Sequence, residues 1–545
     1  MNESPEHEFS HPPAERDPQR LTRERFDVLI IGGGINGCGL ARDLAMRGLR
    51  VALAEKGDIA SGTSSASTKL VHGGLRYLEQ FAFSLVFEAC RERQTLQRIA
   101  PHLVHPIPFF IPVYRKDPRP LWMVRLGMAL YDMLALFRNT RRHSILSAVQ
   151  AQEQEPALKG EGLTGVARYW DCRMDDARLC LENALAAREA GAEVVNYLEV
   201  TDLLRRGERL DGVRAIDRES GEELEIEAEV VVNAAGPWLD AVRHLDGEAS
   251  PVLRPTRGTH ILVPRINRGS EALYLTAKRD ERLFFVIPWG DLSMIGTTDV
   301  DFPADPDGVT PVKEDIDYLL SETKRHLSGA PPGHSDVVAA FAGLRPLVEH
   351  SSSASGASRE HQIFESSSGL ISVGGGKYTT YRAVAAELAE KVVARLGRGG
   401  KAPGTDRLTL PGGATGDFSG YLELQVPRLA ADYGVTRSQA ESLLRRYGSR
   451  TELLERLLQQ NPELARPVAE GSALLAGEVV FAARYEMART SEDVLRRRTP
   501  LALQEGRGLP ELEGVTALLA ECLGADAAQS RDWIDAYRHR YGQLF

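Results

Sequence analysis

Cysteine is scarce: Cys38, Cys90, Cys172, Cys180 and Cys522 are the five in 545 residues, and no two form a C-x-x-C pair. That spacing speaks against a zinc site or a disulfide framework, and it leaves the thiols as packing residues in a reduced compartment. No metal is expected. Apolar runs are short as well. Residues 1–24 contain none, so they are expected to form a disordered tail and not a secretory leader. The greasiest stretch, Leu121 to Phe137, is broken by Arg125 and Asp132 and falls short of the ~20 apolar residues a spanning helix needs. Positive charge is in deficit, with 66 Lys and Arg against 76 Asp and Glu for a net charge of -10. That balance argues against nucleic acid as the main partner, because a phosphate backbone calls for a broad positive surface.

Against these absences stands 43% hydrophobic residues in a long chain, enough for two or three cores. The run Phe26 to Ile31, a glycine cluster, an apolar-periodic segment to Arg47, Gly48 and a β-rich run Arg50 to Ala54 predict a β-α-β unit. Glu229 to Asn233 and Leu370 to Val373 read as buried strands running into tight turns. Alternating patterns between them, such as Thr259 to Val263 and Leu283 to Ile287, point to an inserted mixed domain. The fold class is therefore α/β: a Rossmann-like nucleotide domain (about 25–100, 165–245 and 350–400) carrying an inserted α+β cap (about 101–164 and 246–349). After a linker-like break at Gly397 to Gly404, residues 405–545 predict an all-α domain. Its arginines Arg445, Arg446, Arg496, Arg497 and Arg498 are expected to be helix-face charges. Ser351 to Ser358 reads as a surface loop.

Gly32, Gly34 and Gly37 satisfy the dinucleotide fingerprint around Asn36, and Glu55 ends the second strand where a carboxylate can bond an adenosine ribose. FAD and NAD share this pattern. The hydroxyl-rich segment Ala60 to Lys69, followed by His72-Gly73-Gly74-Leu75-Arg76-Tyr77, suits a flavin ring and its phosphates.

These motifs, GGGINGxG, then TSSAS with HGGLRYLE, then Asp171 to Arg178, resemble the FAD-dependent glycerol-3-phosphate dehydrogenase family of the aerobic, quinone-linked type. Later blocks agree in order: Asn233 to Trp238, Gly258 to His260, Ile287 to Trp289, Ile295 to Asp299, Gly343 to Leu347 and Gly375 to Arg382. The likeness spans about residues 24–400, and Tyr485 to Thr499 resembles the family's helical domain. It implies FAD as cofactor, glycerol 3-phosphate as electron donor and a membrane quinone as acceptor. It also implies cofactor contacts at Thr63, Ser64, Ser65, Ser67, Lys69, His72, Gly73, Gly74, Ala235, Gly236, Gly375, Gly376, Lys377 and Thr379, and substrate contacts at Arg76, Tyr77, His260, Arg345 and Lys377.

The chemistry of such an oxidation sets its own demands. A hydride must leave carbon 2 while a base takes the hydroxyl proton, and a phosphate dianion needs fixed cations. Arg345, Lys377 and Arg76 are the candidate cations. His260 is the candidate base because imidazole titrates near working pH, with Arg345 assisting or a water taking the proton as alternatives. Read without the resemblance, His260 is a hydrogen-bonded core histidine. The helix expected from about Tyr381 would aim its positive end at the reduced ring.

Arg119 to Arg142 combines Trp122, Met123, Met128 and Phe137 with arginines near its ends, the composition of a helix lying on an anionic membrane surface; a pair of core helices is the competing reading. A cytoplasmic protein peripheral to the inner face of the membrane follows from the first. A soluble oxidase using oxygen, an amine or amino-acid oxidase on the same fold, and a flavoprotein of tRNA chemistry are the alternatives. A homodimer held through the C-terminal domain is one assembly the sequence leaves open.

Overall fold

All six side chains of Phe26–Ile31 are buried, the signature of a parallel strand covered on both faces. In the computed structural model, which describes residues 16–75, 78, 82–135, 140–348 and 361–543, this strand pairs in parallel with Val51–Ala54 on one side and Glu223–Asn233 on the other. Glu193–Val195 and Ile371–Gly375 extend the sheet in parallel, and His361–Glu365 adds an antiparallel edge. The helix Ile35–Met46 packs against Asp176–Glu189 and Tyr381–Leu396. Leu40, Leu44, Leu181 and Leu388 meet in the shared core.

A second, ten-stranded sheet carries the other half of the site. Its long strand Leu253–Pro264 is flanked by Leu292–Gly296 and Ala339–Val348, both antiparallel. The expected α/β class, with an inserted mixed domain and a helical C-terminal domain, is the one observed. One boundary differs. Leu163–Met174, expected in the nucleotide domain, pairs with Val104–Tyr114 in the second sheet, and Leu70–Val71 joins it there.

The expected tail also ends early. Asp17 caps a short turn over Pro18–Thr22 that buries Leu21, and the Arg16 guanidinium pairs with Asp217 at 2.5 Å. The loop Ser351 to Ser358 lies outside the described residues.

Beyond residue 403 the chain forms helices, among them Phe418–Tyr433, Arg437–Tyr447, Thr451–Gln460, Ala476–Tyr485 and Leu512–Leu523. Here the arginine expectation is corrected. Arg496, Arg497 and Arg498 are 7%, 6% and 1% exposed, within a π-helical turn at Asp493–Arg498. Arg446 pairs with buried Glu478. Of the five, Arg445 alone behaves as a helix-face charge, pairing with Glu441 one turn back.

Candidate functional site

The glycine loop is built by close approach. Gly32 holds φ +110°, and a Cβ there would stand 2.7 Å from the Ala234 carbonyl oxygen. At Gly37 a Cβ would meet the Gly32 oxygen at 2.0 Å. Only glycine lets the helix Ile35–Met46 begin directly above the loop. Its first donor is engaged: the Ile35 N–H donates to Ser64 Oγ at 2.9 Å. Glu55 accepts from the Gly33 N–H at 2.6 Å and from the Gly57 N–H at 2.8 Å. Burial pushes its carboxyl up, with those N–H donors pulling the other way.

A cleft of about 630 Å³ runs from this loop to the second sheet, within the range of about 300–1,000 Å³ typical of ligand sites. Gly32, Gly34, Asn36 and Glu55 line one end, with Thr63, Ser64, Ser67, Ala235 and Gly236 along it. His72, Gly375, Gly376, Lys377, Thr379, His260 and Arg345 complete the wall. The His72 N–H donates to Thr379 Oγ1 at 3.3 Å, tying two of these loops together.

His260 sits where three strands meet. Across one ladder its partner is Phe341, on which the imidazole stacks at 4.8 Å and 7°. Across the other its partner is Gly296, where a Cβ would stand 2.1 Å from the ring. Nε2 bonds Thr68 Oγ1 at 2.9 Å. Burial, then Arg345 and Lys69, hold the imidazole well below its ordinary range, so it is neutral and, contrary to the expectation of titration near working pH, a weaker base than a free imidazole.

Arg345 follows Phe341 and Gly343 on the same face of Ala339–Val348. Its guanidinium donates to Thr297 Oγ1 at 2.9 Å and to the Thr298 carbonyl at 3.1 Å, and pairs with Asp299 at 3.2 Å. Gly258 leaves it room, since a Cβ there would lie 2.5 Å from Nη2. The sequence blocks contained Thr297 and Asp299 but did not reveal that they hold this arginine.

Several expected contacts fall elsewhere. Gly37, Ser65, Lys69, Gly73 and Gly74 do not line the cleft. Lys69 is buried in an ion pair with Asp176 and also donates to the Ser65 carbonyl, because a buried ammonium needs an anion more than a loop position needs a donor. Gly73 packs against Tyr131, with its N–H given to Asp171. Arg76 and Tyr77 lie outside the described residues. Among the described residues no cluster of His, Cys, Asp and Glu could hold a metal.

The cleft fits the expected FAD. Among the described residues, His260 Nδ1 and Trp238 Nε1 are buried on its wall without a partner, as expected of groups reserved for a ligand. Gly32, Gly34 and Gly236 leave backbone open to a pyrophosphate.

Comparison with known proteins agrees. The FAD dependent oxidoreductase family matches residues 27–390, and the C-terminal domain of alpha-glycerophosphate oxidase matches 403–530. A glycerol-3-phosphate dehydrogenase of Synechocystis is 38% identical over 548 residues, spanning 96% of this chain and 98% of the relative. The mitochondrial glycerol-3-phosphate dehydrogenase of Rattus norvegicus is 36% identical over 527 residues, spanning 91% of this chain and 71% of its own. Among solved structures, the glycerol-3-phosphate dehydrogenase of Bacillus halodurans complexed with FAD superposes with a TM-score of 0.82 at 29% identity, covering 96% of this chain and 97% of that one.

Proposed function

Because the chain belongs to the FAD-dependent glycerol-3-phosphate dehydrogenase family, we propose that it oxidises sn-glycerol 3-phosphate to dihydroxyacetone phosphate and passes the electrons to a membrane quinone. The observation that carries this reading is the meeting, in one cleft, of the glycine loop with His260, Arg345 and Lys377.

Bound FAD supplies the two-electron acceptor for the hydride from carbon 2. The residues of the chain do the rest. Arg345 and Lys377 present cationic donors for the phosphate. Arg345 is held in place by Thr297, the Thr298 carbonyl and Asp299. His260, neutral and pinned between Phe341 and Gly296, takes the C2 hydroxyl proton as hydride leaves, so no charge is stranded on the oxygen. Glu55 takes the adenosine ribose, and the glycine loop takes the pyrophosphate. Lys377 and Thr379, ahead of the helix Tyr381–Leu396, would present positive potential to the bound cofactor's ring.

The acceptor and location rest on the helix Leu121–Leu134. Met128, Tyr131 and Ala135 face inward, while Trp122, Leu126 and Met133 are 66%, 65% and 56% exposed. Phe83 and Phe87 on the helix Phe83–Ile99 are each 39% exposed, and the two helices pack together. An outward stripe of this kind, with Arg125 exposed within it, supports attachment to the inner face of an anionic membrane. Among the described residues no helix is long and apolar enough to cross a membrane. The match of residues 403–530 to the C-terminal domain of alpha-glycerophosphate oxidase favours oxygen as the second candidate acceptor.

The test is the flavin spectrum of purified protein without air. Glycerol 3-phosphate should bleach it; a spectrum that stays oxidised overturns the substrate. Reoxidation by a quinone in anionic vesicles, with little peroxide released in air, is the expected sequel, and rapid peroxide formation would assign the acceptor to oxygen.

A further inference from the structure

The three buried arginines of the C-terminal domain do not do the same work. Arg497 and Arg498 both grip Asp58, at 2.6 Å each, and Arg498 adds a second bond to it at 2.8 Å. Asp58 belongs to the loop that follows Glu55, so this pair anchors one domain to the other. Arg496 differs: among the described residues it has no carboxylate partner. Its guanidinium donates to the Ser65 carbonyl at 2.9 Å, the same oxygen that accepts from Lys69 at 3.1 Å. It also lies 5.4 Å from the centre of the Phe341 ring. Phe341 is the ring on which His260 stacks, and Ser65 is flanked by Ser64 and Ala66 of the cleft wall.

We propose that Arg496 is a positioning residue for the reaction, bracing the Phe341–His260 stack and fixing the hydroxyl-rich loop through the Ser65 carbonyl. The inference rests on the reading of the cleft given above. A buried guanidinium with no carboxylate at ion-pair distance among the described residues is an unfavourable way to fasten two domains, and an apolar side chain of similar volume is usually as stable or more so. What the apolar side chain cannot do is hold a carbonyl and a ring face together from one rigid, planar group. Arg496 therefore serves placement, and Arg497 and Arg498 serve cohesion.

This division separates two readouts that a purely structural arginine would move together. In the full-length, FAD-loaded protein, Arg496→Met is expected to keep its flavin and its thermal midpoint. Its rate of anaerobic flavin reduction by glycerol 3-phosphate should fall on the order of 10- to 100-fold, the cost of a small misplacement of a reacting group. The half-saturating concentration should hold, because Arg345 and Lys377 are untouched, and Arg496→Lys should recover part of the rate. Amide hydrogen exchange should quicken in the peptide covering residues 61–69.

Reduction of Arg496→Met at the parent rate would overturn the proposal, as would a rate loss matched by loss of flavin or of stability. If that variant does not fold, Phe341→Leu decides from the other side: a slowed reduction with unchanged half-saturation supports the brace, and an unchanged rate refutes it. Failure of the parent protein itself to be reduced would instead count against the substrate.

Discussion

Gly296→Ala isolates the contribution of His260 placement, because the added methyl group reaches nothing as closely as that ring. The new Cβ would stand 2.1 Å from Cδ2, 2.7 Å from Cγ and 2.8 Å from Nε2 of His260, where ordinary contact begins at 3.4 Å. The imidazole must therefore retreat by more than about 1 Å, and Phe341, stacked at 4.8 Å, blocks the direct path. Swinging aside breaks the 2.9 Å bond to Thr68. Overpacking of this kind costs about 1–3 kcal/mol of stability, while a 1 Å misplacement in a reacting constellation costs roughly 10²-fold in rate. The assay is stopped-flow bleaching of the flavin by glycerol 3-phosphate under argon, with urea unfolding to confirm that the variant is folded. A folded, FAD-loaded variant reduced within about threefold of the parent rate would refute the placement argument.

Three further outcomes follow from the same geometry. Asp58→Ala should lower stability by about 3–5 kcal/mol, because Arg497 and Arg498 lose the carboxylate that burial opposes but they hold charged; chemical denaturation of the full chain would show it, and a loss below about 1 kcal/mol would contradict it. His260, kept neutral by burial and by Arg345 and Lys69, takes up a proton on unfolding once the pH falls below about 6.5. Its share of stability is therefore present above that pH and lost below it, so His260→Asn should lose less stability than the parent between neutral pH and mild acid, as urea unfolding at the two pH values would show. Gly32→Ala, forced into φ +110° with its Cβ 2.7 Å from the Ala234 oxygen, should purify largely colourless, and full flavin absorbance would argue against the loop as the pyrophosphate cradle.

The nucleotide half was legible in the sequence because its constraints are local. A strand, a glycine cluster and an acidic residue roughly one strand later reproduce the contacts at Gly32, Gly37 and Glu55 with no knowledge of the rest of the chain. His260 and Arg345 were reached through the resemblance, since a histidine on an alternating strand looks the same whether it faces a core or a ligand. What the sequence hid was pairing over long separations. Lys69 turns inward because Asp176 waits there, 107 positions away. Arg497 and Arg498 leave the solvated face expected of them for an aspartate 439 and 440 positions earlier. Arg16 belongs to the body because Asp217 captures it. Helical periodicity reports which residues share a face, but it does not report what that face meets.

Asp58 and Glu486 have a consequence for anyone who would cut or recombine this chain. Arg178, on the helix Asp176–Glu189 of the nucleotide half, forms a two-pronged bridge to Glu486 at 2.8 Å on each arm, and Arg450 shares that carboxylate. Shortening the polypeptide before residue 403 would strip Asp58 of Arg497 and Arg498 and Arg178 of Glu486 and uncover the faces those pairs seal, so the first 400 residues are expected to be less stable alone than within the full chain. Grafting the helical unit from a relative would succeed only if the donor brings its matching arginines and glutamate, and the two halves have to be inherited as a matched set.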